Sequence, residues 1–401
     1  MEKVDLYDYP TRFQNALGKV TESNKICEDN KKDIVAFSKV KLAKGCSYGR
    51  VAKVVYCIRF LAIWLGKSFR QASKDDLIAL IGDLETKNFA EYTKYDFKVV
   101  LKMYFKWLKG NDEVFPPEVT WLRKNMKNLR HKLPDEMLTE EDILNIANCS
   151  EHPRDKALIL VLYECGCRIG ELLSLRIKNV EFDQYGAVLR VTGKTGDRRV
   201  RIISSAPVLA AWLNVHPERK SSEALVWCSR TTNHRDRSFN LRHATIYKLI
   251  KTLAKKAGIT KAVYPHLFRH SRATSMAGKF TEAQMKEYFG WVQGSDMAAT
   301  YVHLSGRDVD DALLKLHGLV RSGHKQEEKL RVRDCSRCKE HNSPISQFCT
   351  KCGFPLDNAL IETIEHERKA SDGMMNKLME DREFRELMMK KIFEMGLDKV
   401  L

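Results

Sequence analysis

Apolar residues recur at helical spacing over much of the first hundred positions. From Arg50 to Gly66, Val51, Val54, Val55, Ile58, Leu61 and Leu65 form one stripe; from Tyr95 to Lys109, Phe97, Leu101, Tyr104, Phe105 and Leu108 form another. Gly110 then follows as a natural helix stop. Lys53, Arg59, Lys98, Lys102 and Lys106 fall between the stripes and predict basic outer faces. The pattern breaks between Asn111 and Glu136, where Pro116, Pro117 and Pro134 accompany Arg123, Lys124, Lys127, Arg130 and Lys132. Helical periodicity returns after Leu138. Thr139 with Asp142 predicts a capped start before Ile143, Ile146 and Ala147, and helix is expected from Arg154 through Leu175. The period changes to two over Val188–Thr192 and Arg199–Ile203, and Gly193-Lys194-Thr195-Gly196 between them predicts a β-hairpin. Helices are expected again from Pro207 to Leu316, then a polar basic segment from Gly318 to Arg333. Near the end, Phe384, Leu387, Met388, Ile392 and Met395 share one helical face. The chain is thus expected to be mainly α with a small β-hairpin, divided into a helical segment 1–112, a basic linker 113–137, an α+β region 138–320, a small cysteine-bearing module 330–356 and a helical tail 357–401.

Composition narrows the possibilities. The 401 residues are 43% hydrophobic and 30% charged, which fits a folded multi-domain protein and not a disordered one. No run approaches the roughly 18 apolar residues of a membrane span, since Val54 to Leu65 is short and broken by Arg59. Met1 to Pro10 is acidic and polar, unlike a signal peptide, so a cytoplasmic, nucleoid-associated protein with no membrane partner is expected. Lys plus Arg number 69 against 52 Asp plus Glu, a net charge of +17. The tail 356–401 is acidic, and residues 1–130 alone hold 25 basic against 16 acidic side chains. Positive charge spread over most of the chain suits a partner such as double-stranded DNA, met from more than one side.

Several short motifs fall within about 135 residues: Cys167-Arg168-Ile169-Gly170-Glu171, Lys194 in the hairpin turn, His266-Leu267-Phe268-Arg269-His270, Phe289-Gly290-Trp291, and Thr300-Tyr301-Val302-His303. Each alone is weak. Together they suit attack on a phosphodiester. Two arginines can clamp the non-bridging oxygens through bidentate hydrogen bonds, as lysine cannot. A tyrosine phenol, with a pKa of about 10, becomes a nucleophile only when charge and a base activate it. A lysine in a hairpin turn can protonate the leaving oxygen, a histidine can serve as base or donor, and an indole N–H adds a donor. None of these steps needs a metal.

The ordered set Arg, Lys, His-x-x-Arg, His or Trp, Tyr resembles the tyrosine recombinase/integrase family over residues 138–315. The resemblance implies that Arg168 and Arg269 bind the phosphate, Lys194 is the general acid, His266 opens His-x-x-Arg, and Tyr301 is the nucleophile. It implies a supporting acidic role for Glu171 as well. Trp291 stands where many members have His; it cannot titrate and only donates a hydrogen bond or packs. His303 reads as structural. The resemblance further implies that 1–112 is a core-binding domain, that two domains form a C-shaped clamp on the duplex, and that copies assemble on DNA, as a tetramer at synapsis. The Gly-Trp spelling and the Tyr301-to-Asp308 run are most similar to archaeal members.

Gly193-Lys194-Thr195 also suggests the end of a phosphate-binding loop. However, Gly186 lies too far upstream, and strand-like residues follow where that loop needs a helix, so no nucleotide cofactor is expected. Cys335-x2-Cys338 and Cys349-x2-Cys352, the latter followed by Gly353, have the spacing of a four-thiolate structural zinc ribbon. The expected activity is site-specific recombination through a 3′-phosphotyrosyl link. The alternatives are a type IB-like topoisomerase and a zinc-ribbon DNA-binding regulator with a decayed integrase domain.

Overall fold

A computed structural model describes residues 8–110, 113–123, 136–193, 196–229, 241, 243–302, 313–314, 316–317, 319 and 330–395. Lys194 and His303 lie outside them. The chain divides into two units, Met1–Lys132 and Leu133–Leu401. No described helix is long and apolar enough to cross a membrane.

The first unit is helical: α1 (Tyr9–Thr21), α2 (Glu28–Ala43), α3 (Tyr48–Leu65), α4 (Lys74–Thr86), α5 (Glu91–Leu108) and the short α6 (Pro117–Thr120). The stripe on α3 is buried from Val51 to Leu61, and the helix stops at Gly66, whose φ of 70° is left-handed. On α5, Phe97, Leu101, Tyr104 and Phe105 are buried. Tyr104 meets Phe37 edge-on at 5.3 Å, and Phe105 meets Phe69 at 5.9 Å. Each such buried side chain contributes roughly 1.5–3 kcal/mol. The basic outer face is smaller than its pattern suggested. Lys102 is buried, because the segment after α5 folds back over it. Its ammonium lies over the Phe115 ring, 4.6 Å from the ring centre, and donates to the Leu122 carbonyl at 2.8 Å. Lys98 is paired with Glu85, and Lys53 with Asp96.

The second unit begins with α7 (Glu140–Asn148), α8 (Pro153–Cys165) and α9 (Ile169–Leu173). The Thr139–Asp142 capping box starts α7. The helix expected from Arg154 to Leu175 is instead two, broken at Gly166, whose φ is 56°. A Cβ at Gly166 would lie 2.4 Å from Phe289 Cε1, so close packing as well as the left-handed turn excludes a side chain there. Strands β1 (Val180–Asp183), β2 (Gly186–Gly193) and β3 (Gly196–Ile202) form one antiparallel sheet in that order. Gly193 pairs with Gly196 and Val191 with Arg198. Strand β1 extends the expected hairpin; only Val180 along it is even half-buried, so it carries no apolar alternation. On β3 the inward positions are Arg198, Val200 and Ile202.

After α10 (Ala206–Asn214) the chain departs from the expected helix. Val226 N–H donates to Leu175 O at 2.8 Å and Ile177 N–H to Ala224 O at 2.9 Å, making this stretch a strand-like partner of Leu175–Ile177. Helices α11 (His243–Lys256), α12 (Pro265–Ala277), α13 (Glu282–Phe289) and α14 (Met297–Val302) follow. The cysteine module pairs β4 (Arg333–Asp334) with β5 (His341–Asn342). Helices α15 (Asn358–Glu380) and α16 (Arg382–Glu394) then bury none of their described residues.

Candidate active site

Three local breaks in helix bring the predicted residues together. The first is at Gly166, after which Arg168 takes an extended conformation and caps α9. Its backbone N–H donates to Glu171 Oε2 at 3.0 Å, and its side chain donates to Glu171 Oε1 at 2.8 Å. The second is the start of α12 at Pro265, which places His266 and Arg269 in its first turns. The third is Gly290, left-handed at φ 61°, which ends α13 and turns Trp291 back over it.

Arg269 is 4% exposed and held by main-chain carbonyls, donating to Gly166 O at 2.8 Å and to Phe289 O at 2.6 Å. Its guanidinium lies 5.3 Å from the Phe289 ring centre and 5.6 Å from that of Trp291. Burial first, and then the nearby charge of Arg168, lowers its pKa to about 10. Two like charges are thus held within electrostatic reach of one another. Burial would raise the carboxyl pKa of Glu171, but Arg198 and then Arg168 outweigh it and hold the group below its usual range.

Trp291 is sandwiched between rings, 5.0 Å from Phe289 and 5.6 Å from Tyr301, the latter at an interplanar angle of 2°. Tyr301, 5% exposed, is in contact through its hydroxyl with Nδ1 of His270. Burial pushes the Tyr301 phenol up to about 12, while Arg269 opposes that rise. Burial of its surroundings, followed by the charges of Arg269 and Arg168, lowers the pKa of His266, whose side chain stays exposed. Its ring meets that of His270 edge-on at 5.4 Å. Arg168, His266, Arg269, Trp291 and Tyr301 are therefore brought together. Lys194 belongs to the turn between β2 and β3, outside the described residues.

Two residues here were not singled out from the sequence. His270 follows Arg269 directly, and nothing in its spacing announces a contact with a tyrosine 31 positions later. Arg198 had a signal: the alternation along β3 puts it on the same side as Val200 and Ile202.

With this geometry in hand, sequence comparison identifies the fold. Residues 136–307 match the phage integrase family. The chain is tyrosine recombinase/integrase-like. It is 28% identical over 225 residues to the tyrosine recombinase XerA of Pyrococcus horikoshii, covering 55% of this chain and 73% of that protein. It is 26% identical over 251 residues to XerA of Saccharolobus solfataricus, covering 60% and 77%. Among solved structures, a XerH recombinase bound to its difH substrate superposes with a TM-score of 0.51 at 18% identity, covering 78% of this chain and 97% of that one. A lambda integrase dimer bound to a core site gives 0.55 at 15% identity, covering 69% and 77%. These structures establish the mainly α fold with a small sheet.

A second constellation lies in the cysteine module. The sulfurs of Cys335, Cys338, Cys349 and Cys352 all fall within 4.8 Å of one another, a group that could hold a metal ion. Cys335 and Cys352 are 3.6 Å apart, and Cys338 and Cys349 3.5 Å. Backbone N–H groups of Cys338 and Arg337 lower the Cys335 thiol. Burial would raise Cys349, but N–H groups of Cys352 and Lys351 outweigh it. Cys338 goes the other way: the Glu340 N–H would lower it, but burial and its three neighbouring cysteines outweigh that and push it up to about 12, as expected of thiols crowded together.

Proposed function

We propose that the chain is a site-specific DNA recombinase that cuts and rejoins strands through Tyr301. The observation that carries this reading is the grouping at the phenol: Tyr301 stacks on Trp291 at 5.6 Å and touches His270, the Arg269 guanidinium lies 5.6 Å from the same Trp291 ring, and Arg168 is close enough to lower the pKa of Arg269. Arg168 and Arg198 share the one carboxylate of Glu171, and Arg269 is held by uncharged main-chain carbonyls, so the three guanidiniums leave excess positive charge, which an incoming phosphodiester neutralises.

In the first step the Tyr301 oxygen forms a bond to phosphorus and the bond to the 5′-oxygen breaks, leaving a 3′-phosphotyrosyl link and a 5′-hydroxyl. Arg168 and Arg269 hold the non-bridging oxygens. Lys194 supplies the proton to the departing 5′-oxygen. The phenol proton passes to an imidazole; His270 already touches the hydroxyl, and burial, with the charges of Arg269 and Arg168, lowers the pKa of His266. The 5′-hydroxyl of a partner strand then attacks the same phosphorus and releases Tyr301. The bond energy is kept in the covalent link, so no nucleotide takes part. Double-stranded DNA is the substrate, and copies of the chain assemble on it. Residues 1–112 act as the core-binding part and 138–320 as the catalytic part.

We assign a structural zinc to the four cysteines. Zn–S bonds of about 2.3 Å in a tetrahedron place sulfurs about 3.8 Å apart, close to the separations of 3.6 and 3.5 Å. Four thiolates leave no open position, so the ion would hold the ribbon together and take no part in strand cleavage.

The test is Tyr301→Phe. Incubated with a randomised pool of nicked duplexes and denatured, the wild-type chain retains covalently bound DNA. The variant retains none while binding duplex as before. An adduct formed by Tyr301→Phe refutes the assignment and turns attention to Tyr288 and Tyr264.

A further inference from the structure

An arginine at an inward position of a strand is costly unless its donors are met. Arg198 is 8% exposed on β3, between residues that face the core. Its Nη2 donates to Glu171 Oε2 at 2.8 Å and lies 3.6 Å from Cys167 Sγ. Its Nε donates to the Tyr288 carbonyl at 3.1 Å. The carboxylate it grips is the one that holds Arg168, through the other oxygen. The carbonyl it grips precedes that of Phe289, which holds Arg269. One guanidinium therefore ties the strand leaving the Lys194 turn to the supports of both arginines.

Two glycines keep this arrangement closed. A Cβ at Gly290 would lie 2.8 Å from Arg198 Nη1, and a Cβ at Gly193 would lie 2.5 Å from Glu171 Oε1. The Arg198–Glu171 pair is thus packed against backbone on two sides, one of them the residue next to Lys194. Nη1 itself has no hydrogen-bond partner among the described residues.

We propose that Arg198 is a positioning residue for strand cleavage: through Glu171 it fixes the Arg168 guanidinium, and through the Tyr288 carbonyl it steadies the end of α13, whose Phe289 carbonyl holds Arg269. This rests on the recombinase reading above. Arg198 touches no reacting atom in this scheme, so its loss changes the rate of cleavage and leaves DNA binding in place.

The experiment compares wild type, Arg198→Met, Arg198→Lys, Glu171→Gln and the Arg198→Met/Glu171→Gln double variant on the duplex that the wild-type chain selects from a randomised nicked pool. Single-turnover adduct formation should fall about 100-fold in Arg198→Met, the cost of a misplaced catalytic group, with Kd for the duplex unchanged. Arg198→Lys keeps the charge near Glu171 and should recover part of the rate. The double variant should be no slower than the slower single variant, because both act on one element. Arg198 helps hold the Glu171 carboxyl low. Without it that pKa rises, and the acid limb of the cleavage profile should move toward neutral pH.

Cleavage by Arg198→Met at the wild-type rate would overturn the proposal. So would additive losses in the double variant, or a slow variant with an unshifted acid limb, either of which marks Arg198 as structural only. If Arg198→Met does not fold, Arg198→Gln, which also removes the charge but keeps a hydrogen-bonding side chain, decides through the same profile. A wild-type chain that forms no adduct refutes the recombinase reading itself, and this inference with it.

Discussion

Replacing Gly166 by alanine adds one methyl group at the turn on which the site depends. Two costs can be separated. An L-residue forced to a φ of 56° pays for left-handed backbone, about 1–2 kcal/mol. The new Cβ would lie 2.4 Å from Phe289 Cε1 and 3.1 Å from its Cδ1. Phe289 cannot swing away cheaply, since it is fully buried and stacked at 5.0 Å on Trp291. Overpacking of this kind adds about 1–3 kcal/mol, for a total of about 2–5 kcal/mol. Gly258→Ala is the internal control: it has the same handedness at φ 70° but nothing within 4 Å of the new Cβ, and should cost only the backbone part. At roughly 2–4 °C per kcal/mol, thermal unfolding followed by tryptophan fluorescence should place Gly166→Ala clearly below Gly258→Ala. Adduct formation should fall as well, because both carbonyls that hold Arg269 are disturbed. Equal melting temperatures for the two variants would refute the claim that Phe289 is wedged against Gly166.

Arg168→Lys should be nearly as damaging to cleavage as Arg168→Ala, since a point charge cannot both hold Glu171 and present paired donors to a phosphate; single-turnover rates close to wild type for the lysine variant would contradict this. Cys349→Ala should lower bound zinc, measured by elemental analysis, and melt the ribbon while leaving cleavage by the remaining chain intact; loss of cleavage with an intact catalytic fold would mean that the ribbon is coupled to the site.

Much of the architecture could be read from residue spacing. The α3 and α5 stripes and the Thr139 cap are where the pattern put them, because burial and capping are local in sequence. What spacing could not reveal depended on contacts between distant segments. Lys102 looked like a surface residue until the segment carrying Phe115 and Leu122 covered it. The helix expected from Arg154 through Leu175 ran across Gly166, but the chain turns left-handed there and Phe289, more than a hundred positions later, packs against the turn. At the site, the residue types suggested which side chains would gather, but the linkage through Glu171 and the contact between His270 and Tyr301 arise from tertiary packing alone.

The way Arg269 is held has an entropic consequence. An arginine side chain free in water samples many rotamers, and fixing it costs up to about 2 kcal/mol. Here two backbone carbonyls and two aromatic rings fix the side chain during folding. On the proposed recombinase reading, an arriving phosphate therefore meets a donor whose orientation is already set, and its binding carries none of that ordering penalty. Because two of the restraints are main-chain oxygens, a substitution at Gly166 weakens its own hold only if it moves the backbone, whereas one at Phe289 also removes a ring from beside the guanidinium.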